Sequence, residues 1–578
     1  MKPVTSRSWQ LRSILPELSV ISDLAGRLGI NLLTAQILCL RGITDPAQGL
    51  DFLEGKLAKL PDPDLLPDME TACTRIAQAL MRGEKISVHG DYDVDGISGC
   101  SLLVEALTAF GGEVEYHIPM RLKDGYGLSG EAIQRAVAAG SRLLISVDCG
   151  VSAHQEARLA EELGIDLIIT DHHQPSAELP VCYALINPHL PGNRFPWAEL
   201  AGVGVAFFLM LGLRRKLRQD NYFQQRAEPD LRYLLDLVAL GTIADIVPLG
   251  GVNRILVKNG LPLLEQGLRS GVAALKEVAQ VKQVTSGAVG FRLAPRLNAA
   301  GRLEDAALGV QLLLGKDPRV CQDLARRLDG FNRERQSIEE QTLNEAIAMV
   351  EEDHRPDRHS IVLAASHWHS GVIGIVASRL VERYHRPTVL IALDQGEGKG
   401  SARSISGFHL YQALCSCAAP LIGFGGHAMA AGLSIDAARV GEFSELFEQA
   451  ARAALTPETL QPVAWYDGQI ALAELTPVLV RELEDLNPFG AGNPQPVFVS
   501  SGCRVTGLRV LGEKHLKFNV EQGDCQLSAI AFGMADRYDQ LAGPVDLLYR
   551  PGINRWRGTE SLQLQVIDCK NHSEHADE

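Results

Sequence analysis

The chain has 578 residues, too many for one hydrophobic core, so three or four domains are expected. Its 46% apolar and 22% charged residues are an ordinary globular balance, and no run approaches the ~20 consecutive apolar residues of a membrane helix. The net charge of −15 excludes a uniformly basic surface but not a local basic groove, which is what nucleic-acid binding needs. Eleven cysteines, an odd number without a C-x-x-C pair, read as buried reduced thiols rather than a zinc site or a disulfide framework. The first twenty residues lack the apolar core of a signal peptide, which makes the cytoplasm the default location.

Residues 1–44 read as helical and apolar on one face, and residues 45–68 as a Pro- and Asp-rich linker or wrapping loop (LPDPDLLPD). A helix over 71–82 then leads to the stretch on which the chain is centred, Ile86-Ser87-Val88-His89-Gly90-Asp91-Tyr92-Asp93-Val94-Asp95-Gly96. It opens as a buried strand, and residues 97–110 continue with a helical pattern, so one His and three Asp fall on a strand-to-helix turn. Open α/β sheets keep their sites at such turns. The carboxylates would repel one another unless a cation or a proton were shared among them. An EF-hand loop is excluded because its twelfth position, which must be a bidentate Glu, is Leu102. A solvated acidic turn and a transition-metal site remain as readings of this stretch alone.

Strand and helix alternate from there. Val114–Ile118, Leu143–Val147, Ile165–Ile169 and the short Ala184–Ile186 read as strands, Ser129 as the cap of a helix over 130–139, and 152–163 as a helix. This rhythm predicts a mainly parallel sheet with helices on both faces. Three strands end in ligand-type residues: His89, Asp93 and Asp95; then Asp148; then Asp171, His172 and His173. Capping or turn formation explains a single Asp after a strand. Three such ends on one edge of a parallel sheet converge, and that coincidence favours a metal. Asp245 lies in a further apolar run, Gly241–Leu249, where a buried carboxylate must be neutral, paired or coordinating. Asp236 is its rival for the role.

HGDYDVDG, VDCG, DHH and ADIVPL, in this order, resemble the four motifs of the DHH phosphoesterase superfamily, and within it the branch of bacterial single-stranded-DNA exonucleases. The resemblance implies two divalent ions, Mn²⁺ or Mg²⁺: His89, Asp93 and Asp148 on one, Asp95, Asp148, His172 and Asp245 on the other, with Asp148 bridging. It places His173 near the substrate phosphate and Asp91 and Asp171 behind the ligands, orienting them. Mixed imidazole and carboxylate ligation suits Mn²⁺.

In the second half, Leu293–Arg302 combines two Arg and an Asn with small residues, and the resemblance gives Arg302, and Asn298 beside it, to the substrate phosphate. Residues 317–352 read as one long charged connecting helix ending at the hinge DHRPDR. Residues 361–456 form another α/β unit, with strands at 361–364 and 388–392, a small-residue turn at Gly400–Ser404, and the glycine-rich Gly423–Gly432. Glycines permit close approach of backbone N–H groups to an anion, and a tight packing turn explains them equally well. By resemblance to the DHH-associated domain, Ser401 and Arg403 would hold a 5′ phosphate, with Gly425, Gly426 and His427 near the scissile group. Arg121 would line the strand entrance. Residues 461–578 change to short alternating strands, read as a small barrel. There Arg555, Trp556 and Arg557 interleave bases with an aromatic, as single-strand binding favours.

The expected architecture is therefore α/β multidomain: an N-terminal helical segment and linker (1–68), a parallel-sheet DHH domain (69–316), a connecting helix (317–358), a smaller α/β DHH-associated domain (359–460), an OB-type barrel (461–570) and a disordered tail (571–578). The implied activity is metal-dependent 5′→3′ hydrolysis of single-stranded DNA in recombination and repair. A DHH oligoribonuclease or a non-catalytic DNA-binding scaffold are the alternatives. Implied partners are single-stranded DNA, single-stranded-DNA-binding protein and a RecQ-type helicase, with the protein a cytoplasmic monomer away from membranes.

Overall fold

The computed structural model describes residues 7–120, 127–353, 355, 357–556 and 558–572. Contacts divide the chain into two compact units, one built on Leu11–Gly301, Asp305–Leu328 and Trp465–Glu578, the other on Asp329–Ala464 with the stretch Arg302–Glu304.

The first unit contains a five-stranded, wholly parallel sheet. Its strands are β1 (Ile86–Gly90), β2 (Val114–His117), β3 (Leu143–Val147), β4 (Asp166–Thr170) and β5 (Ala184–Ile186), in the spatial order β2-β1-β3-β4-β5. β1, β3 and β5 are buried along their whole length, which is why they read as continuous apolar runs rather than alternating ones. The chain order reverses between β1 and β3. At such a switch point the loops leaving the two strands turn in opposite directions and open a crevice at their carboxyl ends. The helices Val94–Ala109 and Leu235–Ala244 are apolar nearly all round and mostly buried, as helices in the middle of a large core must be, and Gly202–Gln219 is so through Leu213 before a basic end. Ser129 caps the helix Gly130–Ala138 by accepting from the Ala132 N–H at 3.2 Å.

The same unit holds a six-stranded sheet. Five of its strands, Phe498–Leu511, His515–Gln522, Cys525–Ala531, Thr559–Asn571 and Val545–Trp556, close into a barrel through pairing of the first with the last. The N-terminal helices Leu18–Leu28 and Leu32–Leu40 place Ile21, Leu24, Ile37 and Leu38 in one core with Leu472, Phe498, Val520 and Tyr549 of the barrel region. Their apolar face is thus satisfied by a segment more than four hundred residues away. Residues 45–68 are not all loop: Asp45 caps a helix, Pro46–Glu54, by accepting from the Gln48 N–H, with Pro at the first turn where its missing N–H costs nothing.

A 35-residue helix, Pro318–Glu352, carries the chain from one unit into the other. The second unit is a mixed sheet with Ile361–Ala365 and Thr388–Asp394 parallel and Glu397–Arg403, Ala430–Asp436 and Leu421–Gly426 added antiparallel. The segment expected as a turn at 400–404 is strand through Arg403, because its small residues pair between Thr388–Asp394 and Ala430–Asp436. Gly423–Gly432 is correspondingly a β-hairpin, not a helix–strand turn.

No cysteine is paired; Cys415 is exposed, Cys182 and Cys525 are half-buried, and the remaining eight are buried. No helix among the described residues is long and apolar enough to cross a membrane. Arg121, Arg557 and residues 573–578 of the expected tail lie outside the described residues, as does the side chain of Trp556.

Candidate metal centre

Four chain segments meet at the carboxyl edge of the parallel sheet. After β1, Asp93 caps the helix Val94–Ala109, its Oδ1 accepting from the N–H groups of Asp95 at 2.9 Å and Gly96 at 3.2 Å. Gly96 is required sterically: a Cβ there would lie 2.5 Å from the backbone N and O of Asp91. Asp95 is held by the first turn of another helix, accepting from Gly202 N–H at 2.6 Å and Val203 N–H at 3.0 Å. Those are orphan donors at a helix N-terminus, where negative charge is favoured. After β3, Asp148 adopts a left-handed backbone (φ 63°) that turns its carboxylate into the cluster. A Cβ on Gly202 would sit 2.7 Å from the Asp148 Cβ, so that helix packs against Asp148 only because the position is glycine.

After β4, Asp171 accepts from the N–H groups of Val151, His172 and His173 and from His173 Nδ1 at 2.8 Å. Burial would raise the Asp171 carboxyl, but the hydrogen bonds and charge of His173 and these backbone donors hold it below its ordinary value. His173 in turn rises to about 9: burial opposes its charge, and the Asp171 hydrogen bond and charge more than compensate. His172 goes the other way, to about 4, through burial and the neighbouring His173 charge. One His172 nitrogen bonds to the backbone of Leu200, leaving Nε2 as the lone-pair side at neutral pH. The fourth segment is Asp245, the residue that ends the helix Leu235–Ala244.

His172 Nε2 lies 3.1 Å from Asp148 Oδ1, 3.6 Å from Asp245 Oδ2 and 3.9 Å from Asp95 Oδ2. Among the described residues, ligand atoms gather within 4.8 Å of one another in three sets: Asp95, His172 and Asp245; Asp148, His172 and His173; Asp91, Asp93 and Asp148. Burial, and then mutual repulsion, raises Asp91 to about 8, Asp95 to about 7, Asp245 to about 8 and Asp148 well above the usual carboxylate range. Asp148 Oδ1, Asp91 Oδ1 and His172 Nε2 are buried and make no hydrogen bond. Acceptors facing acceptors at this spacing describe a site for cations, and carboxylate with imidazole is a donor set that divalent first-row ions and Mg²⁺ accept.

Asp236 does not join this cluster. It pairs with Arg269, whose Nε lies 2.9 Å from its Oδ2, so the carboxylate aimed at His172 from this region is Asp245. His89 is buried at the end of β1, with Nε2 3.1 Å from the Gly127 carbonyl, and is outside the three sets. Asp91, expected behind the ligands, instead offers an oxygen beside Asp93 and Asp148. Asn298 accepts from the Val94 N–H at 3.2 Å, which steadies the motif loop, and the helix Ala294–Leu303 contains both it and Arg302. Sequence reasoning missed Gly202 and Val203, the donors to Asp95, and Asn187, buried and donating to the His173 carbonyl. The glycines of Ala201-Gly202-Val203-Gly204 were the available signal.

In the second unit, Arg302 donates to the Gly371 carbonyl at 2.8 Å. Arg403 Nη1 donates to Ser401 Oγ at 3.1 Å, and Gly374, in the first turn of the helix Ile373–Tyr384, sits against both: a Cβ there would lie 2.8 Å from Ser401 Oγ and 3.0 Å from Arg403 Nη2. Gly425 and His427 are exposed near the hairpin tip, and Gly426 needs its glycine, since a Cβ would meet the Ala430 carbonyl at 2.5 Å. In the barrel, Arg555 is engaged by Glu484 and Glu560, at 2.9 and 3.0 Å.

A parallel sheet ending in this cluster, a mixed α/β unit and a closed barrel define a DHH-family protein. The chain matches the models described as DHH family, N-terminal domain, over residues 85–242, DHHA1 domain over 358–453, and RecJ OB domain over 466–568. It is 43% identical over 533 residues to the single-stranded-DNA-specific exonuclease RecJ of Dickeya dadantii, covering 89% of this chain and 92% of that one. It is 36% identical to RecJ of Bacillus subtilis, covering 97% of this chain and 70% of that one. Its structure resembles the crystal structure of Thermus thermophilus RecJ in complex with Mn²⁺, with a TM-score of 0.84 at 33% identity, covering 98% of this chain and 80% of that one. The chain belongs to the RecJ family.

Proposed function

We propose that this protein is a metal-dependent exonuclease that hydrolyses phosphodiester bonds of single-stranded DNA from the 5′ end, in recombination and repair. The observation that carries the reading is the meeting of His172 with Asp95, Asp148 and Asp245 at the switch point of the parallel sheet. Single-stranded DNA is the substrate named for the family's RecJ members, and Mn²⁺ and Mg²⁺ are the ions named for the Thermus proteins. Asp91, Asp93, Asp95, Asp148, His172 and Asp245, with His89 close behind, are the residues we assign to two such ions. When bound, a divalent pair lowers the pKa of a coordinated water and offsets charge developing on the phosphoryl oxygens.

The chain's own residues supply the rest. Neutral His172 offers a lone pair, while His173, protonated and hydrogen-bonded to Asp171, presents a cation to a substrate phosphate. Asp171 holds that cation in place and fixes the imidazole orientation. Ser401, Arg403 and the first turn of the helix at Gly374 are assigned to a 5′ phosphate, which would set polarity; a helix N-terminus beside a guanidinium suits such an anion. Arg302 and Asn298 are assigned to the strand, with Arg121 at its entrance, and the barrel is assigned to the strand further from its end. Recruitment by single-stranded-DNA-binding protein, cooperation with a RecQ-type helicase, a monomeric state and a cytoplasmic location complete the proposal.

Digestion of 5′- and 3′-labelled single and double strands with Mn²⁺, Mg²⁺ or EDTA tests it. Early release of the 5′ label from single strands, abolished by EDTA, is the expected result. Release from the 3′ end first, or preference for dinucleotides over long strands, would overturn it.

A further inference from the structure

The Asp148 side chain is 2% exposed, whereas Asp245 is 23% and His173 40% exposed and Asp93 is half-buried, so the cluster meets solvent at Asp245 and His173 as well as at Asp93. Immediately after Asp245 stands Ile246, with a left-handed backbone (φ 62°) and 74% of its surface exposed. A β-branched residue is disfavoured there, because its Cβ substituents crowd the adjacent carbonyl, and here no burial compensates. A second distortion lies against the same helix. Val289–Leu293 forms a π-turn that lies beside the helix Leu235–Ala244, with Gly290 in ordinary contact range of Ile243. Val289 and Leu293 anchor the turn in the core, yet Phe291 between them is 86% exposed. π-turns persist mainly where a function repays the poorer hydrogen bonding.

Cations accompany the ring. Arg292 spends its guanidinium on the Ala279 carbonyl and forms no ion pair among the described residues, and Arg296 donates to the Arg292 carbonyl one turn on. An exposed aromatic ring with guanidinium neighbours, beside a cation site, matches the chemistry of an unpaired nucleobase and its phosphate. A single exposed Phe needs no explanation. Two unfavourable backbone conformations that each present a large apolar side chain to solvent, on the side of the cluster where Asp245 is partly exposed, do.

We propose that Ile246 and Phe291 form an apolar lip that takes a nucleobase of the incoming strand and so positions the adjacent phosphodiester at the cluster. The inference rests on the strand-hydrolysis reading above and assigns these two side chains a positioning role within it. The test uses the full chain in metal-free buffer with EDTA and a 5′-phosphorylated single strand carrying 2-aminopurine in its first three positions. The wild-type chain quenches the fluorescence by stacking. Phe291→Ala abolishes most of the quenching and weakens binding about tenfold, the lower range for one aromatic–base stack. Phe291→Trp retains both. Ile246→Gly, relieved of its strain, unfolds at the same or a higher temperature and shows the same loss. On a strand with abasic residues at those positions, wild type and Phe291→Ala bind equally. Quenching and binding by Phe291→Ala equal to wild type, or an undiminished loss on the abasic strand, overturns the lip. If wild type degrades strands under Mn²⁺ while Phe291→Ala quenches normally, the lip alone fails. If wild type neither degrades nor quenches, both readings fail.

Discussion

Asp148→Asn should make the metal-free protein more stable, and increasingly so as the pH rises. Asp148 is buried, its carboxyl is pushed well up by burial and then by Asp95, Asp93, Asp91 and Asp245, and Oδ1 makes no hydrogen bond. In the unfolded chain an Asp releases its proton near pH 3.9. A raised folded pKa means that the folded state binds more protons than the unfolded one above that pH, so folding stability falls as the pH rises through the window. Keeping the carboxyl protonated becomes more costly with each pH unit above the unfolded value, so the penalty borne by wild type grows as the pH rises. Asn carries no such cost and tolerates the left-handed backbone of this position (φ 63°), so the substitution introduces little strain. The assay is calorimetric unfolding of wild type and Asp148→Asn in EDTA over a series of pH values, followed by titration with Mn²⁺. The variant's unfolding temperature should exceed that of wild type by a margin that grows with pH. Mn²⁺ should then raise wild type more than the variant, and strand hydrolysis by the variant should vanish. A variant that is less stable than wild type at pH 8, or a margin that is flat with pH, would refute the picture of crowded, cation-seeking carboxylates.

The same geometry has three further consequences. Mn²⁺ affinity should rise between about pH 6 and 8, because binding must displace protons from carboxylates such as Asp95 and Asp245, raised to about 7 and about 8; calorimetry in buffers of different ionisation enthalpy counts the protons released. Asp236→Asn should destabilise the fold by about 1.5–3 kcal/mol by removing one of the two carboxylates on buried Arg269, which keeps Glu105, yet leave Mn²⁺ binding intact, whereas Asp245→Asn should weaken Mn²⁺ binding and leave the fold in place. Gly202→Ala should lower kcat by up to about a hundredfold with an unchanged far-UV CD spectrum, since its methyl would sit 2.7 Å from Asp148 Cβ and displace that carboxylate.

Much of the site was legible along the chain because parallel strands do the gathering. A buried strand announces itself as a run of apolar residues, and the residues just past its end lie at the carboxyl edge of the sheet. Asp93, Asp95, Asp148, Asp171, His172 and His173 could all be placed on that rule, while His89 lies inside β1 and, among the described residues, joins none of the ligand sets. The long helix Pro318–Glu352 was visible from its charge pattern. Small residues misled where their partners were distant: Gly400–Arg403 looks like a turn in isolation and is a strand because two neighbouring strands pair with it. Arg555 looked available to nucleic acid, but Glu484 from another segment of the same unit already engages it.

The amino-acid order alone determined which chemistry was available, since residue type and its position after a strand or helix are local properties. Tertiary packing alone decided how that chemistry is shared. It turned Asp245 toward His172 and spent Asp236 on Arg269, two outcomes that hang on residues tens of positions apart. It brought the helix beginning at Gly202 against Asp95, more than a hundred residues earlier, and covered the barrel with the N-terminal helices. The reason is physical: a carboxylate's partner, and an apolar face's cover, are chosen by which surfaces close together on folding, and no local pattern encodes that choice.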